Sequence, residues 1–263
     1  MAFSRAFSPD PLSSDGLTPA MVGIGMNFAA PAGAQPNIED TLLFASVEGM
    51  EKADLRVLAV LVSWFGVHAP RVNADRLTKL VTAHESARVR GLWSALARWQ
   101  GADRRFARMV KAYRGPRIDA LATGTEFQVK RHGEHPRFAG SALRVPGNLL
   151  RDRSTDVLSP ADLARRHRAY RCRLLMGPSY RADMWAELEA DPTLSATALA
   201  RSTYGSFATA WHVRNDFTLL VGSGPARGAS SRLSRSLPRG AGHSADDWLT
   251  PQSFRPESPT DGR

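Results

Sequence analysis

DMWAELEADPTLSATALARSTYGSFATAWHVRNDFTLL, residues Asp183 to Leu220, divides into three helical pieces at two breaks. The first piece ends at Asp191-Pro192, because proline removes a backbone donor and disfavours helix in the residue before it. The second runs from about Ser195 to Ser202, with Leu199 and Ala200 facing inward. Tyr204 and Gly205 hold the turn, and Ser206 offers the side-chain oxygen that caps a third helix reaching Leu220. A close helix crossing needs a small residue and a sharp turn, which Ala200 and Gly205 supply. Ala210, Val213 and Phe217 recur at spacings of three and four and give the third helix an apolar stripe. The pattern predicts a helix-turn-helix, with Phe207, Thr209, Trp211, His212 and Asn215 pointing outward.

Working outward, the predicted fold is mainly α. Residues 1–36, rich in Pro, Ser, Gly and Ala without periodicity, read as a flexible leader; Met21 and Met26 are alternative starts. Residues 37–116 read as a helical bundle. Its helices run over Asn37 to Val47, Met50 to Val67, Asn73 to Ala83 with Asn73 as N-cap, Arg88 to Trp99, and Asp103 to Tyr113. Residues 117–158 form a linking region in which Thr125 to Arg131 and Phe138 to Val145 read as strands of a short β-hairpin. Residues 159–221 hold an arginine-rich helix, Pro160 to Met176 with Ser159 as N-cap, followed by the helix-turn-helix. Residues 222–263 read as a disordered tail.

The formal charge of +10 points toward nucleic acid, but its origin and placement qualify that reading. Only four of the 35 basic residues are lysine, the pattern expected of a G+C-rich genome without selection for binding. Residues 101–173 hold 17 basic and 7 acidic residues, whereas 174–221 hold 3 and 5. The positive charge therefore sits beside the helix-turn-helix. Arg165, Arg166, Arg168, Arg171 and Arg173 cover more than half of their helix, leaving Leu163, Tyr170 and Leu174 as a narrow apolar seam. They form either a solvated face or a phosphate-contacting one, since the guanidinium fork matches phosphate oxygens.

No catalytic site is expected. Phosphate-binding glycine loops are absent, and Gly140-Ser141 followed by Asp152 lacks the second aspartate that a nucleotidyltransferase needs for magnesium. His132 and His135 have no carboxylate or cysteine set beside them, so no metal and no cofactor are expected. Cys172, the single cysteine, reads as a small buried residue and excludes an internal disulfide. Val57 to Val67 is too short for the roughly 20 residues that span a bilayer. No membrane partner and no secretory signal are expected, and the location expected is cytoplasmic.

The run Leu174 to Leu220, with Ala200, Ser206, Thr209 and Ala210 in helix-turn-helix register, resembles the winged helix of bacterial transcription regulators. These include antitoxin-type regulators encoded beside nucleotidyltransferases. The resemblance covers residues 174–220 only. It implies binding of double-stranded DNA through the third helix, with Ser206, Thr209, His212 and Asn215 toward the bases. Arg165, Arg166, Arg168, Arg171 and Arg173 would hold phosphates. It also implies a β-hairpin wing after Leu220, where no alternating apolar pattern follows. The alternative is a non-catalytic protein–protein adaptor, because Phe207 and Trp211 at i and i+4 suit a protein interface. A homodimer is compatible with either.

Overall fold

Val57 to Val67 lies in α3 (Leu55–His68), which opens on Asp54, whose carboxylate accepts from the amides of Arg56 and Val57. The structure, a computed structural model, describes residues 14–222. Val57, Leu58, Leu61, Val62, Trp64 and Phe65 lie all round α3 and are buried, so the helix must be enclosed. It packs on α2 (Ile38–Glu51) and, through Phe65 and Gly66, on α5 (Ala87–Trp99), while α4 (Ala74–Ala83) packs on α2; these helices are capped by Asn37, Ser86 and Asn73. Gly49 lets α2 and α3 touch: a Cβ there would lie 2.9 Å from that of Leu58. Phe65 meets the edges of Trp93 and Phe106 at 5.3 and 5.4 Å. Each such burial is worth about 1.5–3 kcal/mol, and the buried indoles also find acceptors. Trp64 Nε1 donates to Ile24 O at 2.7 Å, and Trp93 Nε1 to Ser46 Oγ at 3.0 Å.

The leader expected over residues 1–36 is corrected from Ser14 onward, residues 1–13 lying outside the described ones. Ser14–Gly23 forms α1, and Leu17, Ala20, Met21, Ile24 and Met26 are buried against the bundle. The segment after α1 is tied down by its backbone, with Asn27 N donating to Asp156 O and Leu158 N to Gly25 O. Small residues and prolines hid five core positions. The helix expected over Asp103 to Tyr113 is instead two 3₁₀ turns, Arg104–Phe106 and Met109–Ala112. The Arg105 guanidinium holds Asp103 and the carbonyls of Val72 and Ala69, which pins the first turn while Phe106 and Met109 enter the core.

The β-hairpin is also corrected. Thr125–His132 is a helix, α6, supported by the Glu126–Lys130 pair one turn apart. Phe127 and Val129 mimic strand alternation, yet Phe127 is 63% exposed and has no sheet to pack against. The only strands among the described residues are β1 (Ile118–Asp119) and β2 (Leu143–Arg144), and they pair in parallel. The arginine-rich helix is broken into α7 (Pro160–Arg166) and α8 (Arg168–Met176). His167 is extended between them; its Nδ1 accepts from the Tyr170 amide and its Nε2 faces Pro36 O at 2.9 Å. Ser159 and Pro160 open α7 as the sequence predicts.

The last three helices are α9 (Tyr180–Ala190), α10 (Ala196–Ser202) and α11 (Phe207–Gly222). A buried ion-pair network fastens this unit to the bundle. Arg173 of α8 donates through Nε to Asp183 of α9 at 2.7 Å, and through Nη1 and Nη2 to both Glu39 oxygens of α2 at 2.7 and 2.9 Å. Burial alone would raise the Glu39 carboxyl, but Arg173, with Arg76 and the Asn73 amide, holds it below its usual range. A second tie joins the turn of the unit to α4. Arg76 lies 4.1 Å from the centre of the Tyr204 ring and donates through Nη2 to both Asp40 oxygens.

Candidate functional site

Met184 and Leu188 of α9, Leu199 of α10 and Ala210, Val213 and Phe217 of α11 form one buried cluster. These positions make the three helices a compact helix-turn-helix with the boundaries that the sequence predicts. The turn works differently from the expectation at Gly205. The left-handed residue is Tyr204, with φ of 56°, held by its stack on Arg76. Gly205 leaves room for the end of the buried Met184 side chain, which a Cβ there would displace. Ser206 caps α11 by accepting from the Thr209 amide at 3.0 Å, and its hydroxyl lies 2.6 Å from that of Thr209. Ser206→Ala should therefore cost about 1 kcal/mol, read as a fall in Tm of about 2–4 °C for a domain of this size.

The outer face of α11 carries the remaining candidates. Phe207 is 55% and Trp211 50% exposed; His212 is exposed, and Thr209 and Asn215 are half-buried. The Trp211 and His212 rings lie 5.0 Å apart. Charge is sparse along this helix and already engaged. Arg214 Nε donates to Leu194 O at 3.0 Å, and Asp216 pairs with Arg181 of α9 at 2.7 Å. Ser206 and Thr209, expected toward the bases, spend much of their hydrogen-bonding capacity on the cap.

The five arginines do not form one face. Arg173, expected on phosphate, is 1% exposed and wholly engaged by Glu39 and Asp183; that expectation is corrected. Arg171 pairs with Glu189 at 2.5 Å, and Arg165 with Asp162 at 3.2 Å. Arg168 lies half-buried against α9, its Nη1 3.5 Å from Ala186 O. Arg166 is exposed. Asp183, Ala186 and Glu189 of α9 meet α8, whereas Met184, Trp185 and Leu188 meet α10 and α11. These sets lie on opposite sides of α9, so α9 stands between the α8 arginines, Arg168, Arg171 and Arg173, and the third helix. Sequence spacing shows each helix's own faces, but not which face a neighbour 134 residues away will cover.

The other chemistry-bearing residues serve the fold. His135 is buried, its Nδ1 accepting from the Arg137 amide at 3.3 Å. Ser141 Oγ closes a turn onto Leu143 O at 3.1 Å, and Asp152 accepts from the Ser154 hydroxyl at 3.0 Å. Cys172 is buried, which pushes its thiol up to about 11 and away from nucleophilic use. No helix among the described residues is long and apolar enough to cross a membrane. No family model, no curated protein and no solved structure matches this chain. Sequence reasoning passed over Arg181 and Arg201, exposed basic residues that belong to the unit itself; Arg214 is exposed as well.

Proposed function

We propose that this chain is a DNA-binding regulator whose α11 enters the major groove. The observation that carries the reading is the uncovered outer face of α11. Ala210, Val213 and Phe217 seat the helix on α9 and α10, leaving His212 and Asn215 turned away from that core. A recognition helix presented from a compact three-helix unit is the geometry by which side chains reach base edges. Asn and His carry the donors and acceptors that such readout uses. Phosphate contacts would come from Arg201 and, with phosphate displacing Asp216 and the Leu194 carbonyl, from the exposed Arg181 and Arg214, not from the α8 arginines behind α9.

Binding of the full chain to mixed-sequence duplexes across a salt series tests this. With three phosphates neutralised, log affinity should fall with log salt at a slope of roughly −3. Arg201→Ala should weaken binding to every duplex, while His212→Ala or Asn215→Ala should relax the preference for a selected site. No binding at low salt would end the DNA reading.

A second reading rests on Phe207 and Trp211, large exposed aromatics one turn apart on a helix with little free charge. Such pairs are typical anchors of protein interfaces. If α11 docks a protein, replacing both with Ala abolishes capture of that partner from cell extract while circular dichroism stays unchanged. Capture that survives the double substitution removes this reading.

A further inference from the structure

A cavity of about 120 Å³ lies where residues 35–38, the first turn of α8, the middle of α9 and the end of α10 converge. That is space for about four water molecules at roughly 30 Å³ each. Asp183 lines it and is 5% exposed; its Oδ1 accepts from Arg173, but its Oδ2 has no hydrogen-bond partner. A carboxylate oxygen buried without a donor is rare and calls for an occupant. Glu187, one turn further along α9, also lines the cavity and forms no ion pair among the described residues. Glu187 is exposed at the mouth; desolvation raises its carboxyl against the opposing charge of Arg168.

The other walls add acceptors. Ser202 and Thr203 both give their hydroxyl protons to Leu199 O, at 3.2 and 2.7 Å, so their oxygens keep only lone pairs to offer. Arg173 is spent on Glu39 and Asp183, and Arg168 reaches no closer than 3.5 Å to Ala186 O. Asp183 and Glu187 balance Arg168 and Arg173 in formal charge along the lining, so what distinguishes the chamber is its unpartnered oxygens. A divalent metal is a poor match, since no group of three His, Cys, Asp or Glu side chains converges among the described residues.

We propose that this cavity binds the primary ammonium group of a small amine. An ammonium carries three donors, which the oxygens facing the chamber lack. Asp183 Oδ2 takes the first N–H, the Glu187 carboxylate the second, and a hydroxyl oxygen at the end of α10 the third. Because the walls belong both to the helix-turn-helix and to the entry into α2, the ligand holds the two together. Gln35, with φ of 49°, closes the rim by accepting from Arg168 N and donating to Arg166 O. The proposal stands whether α11 binds DNA or protein.

Thermal unfolding of the full chain at pH 7.5 in 100 mM ethylammonium chloride tests it, against equal potassium chloride and tetramethylammonium chloride. Tetramethylammonium has the charge but no N–H. Ethylammonium alone should raise Tm by about 5 °C, and Asp183→Asn should abolish the rise. Should that variant not fold, Glu187→Gln, which keeps the Asp183–Arg173 pair, decides in its place by shrinking the rise at least two-fold. An equal rise in tetramethylammonium, no rise in any salt, or an undiminished rise in Glu187→Gln overturns the proposal.

Discussion

Arg173→Met should lower stability by about 3–5 kcal/mol, because it strands two buried carboxylates without their cation. The Arg173 side chain is 1% exposed and is the partner of Glu39 and Asp183, neither of which reaches bulk water. Removing the cation leaves both acids either charged without a partner or protonated at neutral pH, and each alternative disfavours the folded state. At a slope of about 2 kcal/mol per molar urea, the unfolding midpoint should fall by about 2 M. The triple variant Arg173→Met, Glu39→Leu, Asp183→Leu should recover most of that loss, since an apolar set of similar volume has no charges to desolvate. It still leaves the Asn73 amide without the Glu39 acceptor, a residual cost of about 1–3 kcal/mol. A single variant as stable as the parent would mean that the junction is hydrated and that Arg173 is not what fastens α8 to α2 and α9.

That network also marks the limit of what the chain reveals in one dimension. The caps were legible, because Asn73, Ser159 and Ser206 act on amides three residues away. So were the α9–α11 boundaries, set by Pro192, Gly205 and the Ala210–Val213–Phe217 stripe. The role of Arg173 was not. Its i±3 and i±4 neighbours, Ala169, Tyr170, Met176 and Gly177, include no acid, so it reads as one more solvated arginine until Glu39, 134 residues away, is brought beside it. Residues 14–36 failed for a related reason. Leu17, Met21, Ile24 and Met26 make a short apolar set diluted by Gly, Ala and Pro, and only the bundle surface they cover turns them into core. At Phe127 and Val129 alternation suggested a strand, but alternation specifies one only where a second strand and a core accept it. The break at His167 carries no Gly or Pro; it exists because the imidazole finds acceptor and donor partners at Pro36 and Tyr170.

Stability should fall as pH drops from about 6.5 to about 4, and His68 is the principal cause. Its ring is fully buried against Trp64 and Tyr170, at centroid distances of 4.6 and 5.3 Å. Nε2 lies 3.1 Å from Leu158 O, which can only accept, so Nε2 carries the proton and Nδ1 accepts from the Tyr170 hydroxyl at 2.7 Å. Burial outweighs the Leu158 hydrogen bond and lowers the folded-state value to about 4, from about 6.5 in the unfolded chain. The folded state thus refuses a proton that the unfolded state takes up. Stability is full above pH 6.5, declines as the unfolded chain protonates, and reaches its full loss once pH falls below about 4. The difference corresponds to roughly 3 kcal/mol. His167 acts in the same direction, its value lowered by burial while the Pro36 carbonyl opposes. Urea unfolding at half-unit steps between pH 7.5 and pH 4 measures the slope. His68→Phe, whatever its stability at pH 7.5, should flatten that slope by more than half and leave the part due to His167, His135 and His84, each lowered by burial. An unchanged slope would place the proton uptake elsewhere and mean that the His68–Tyr170 pair opens to water in the folded chain.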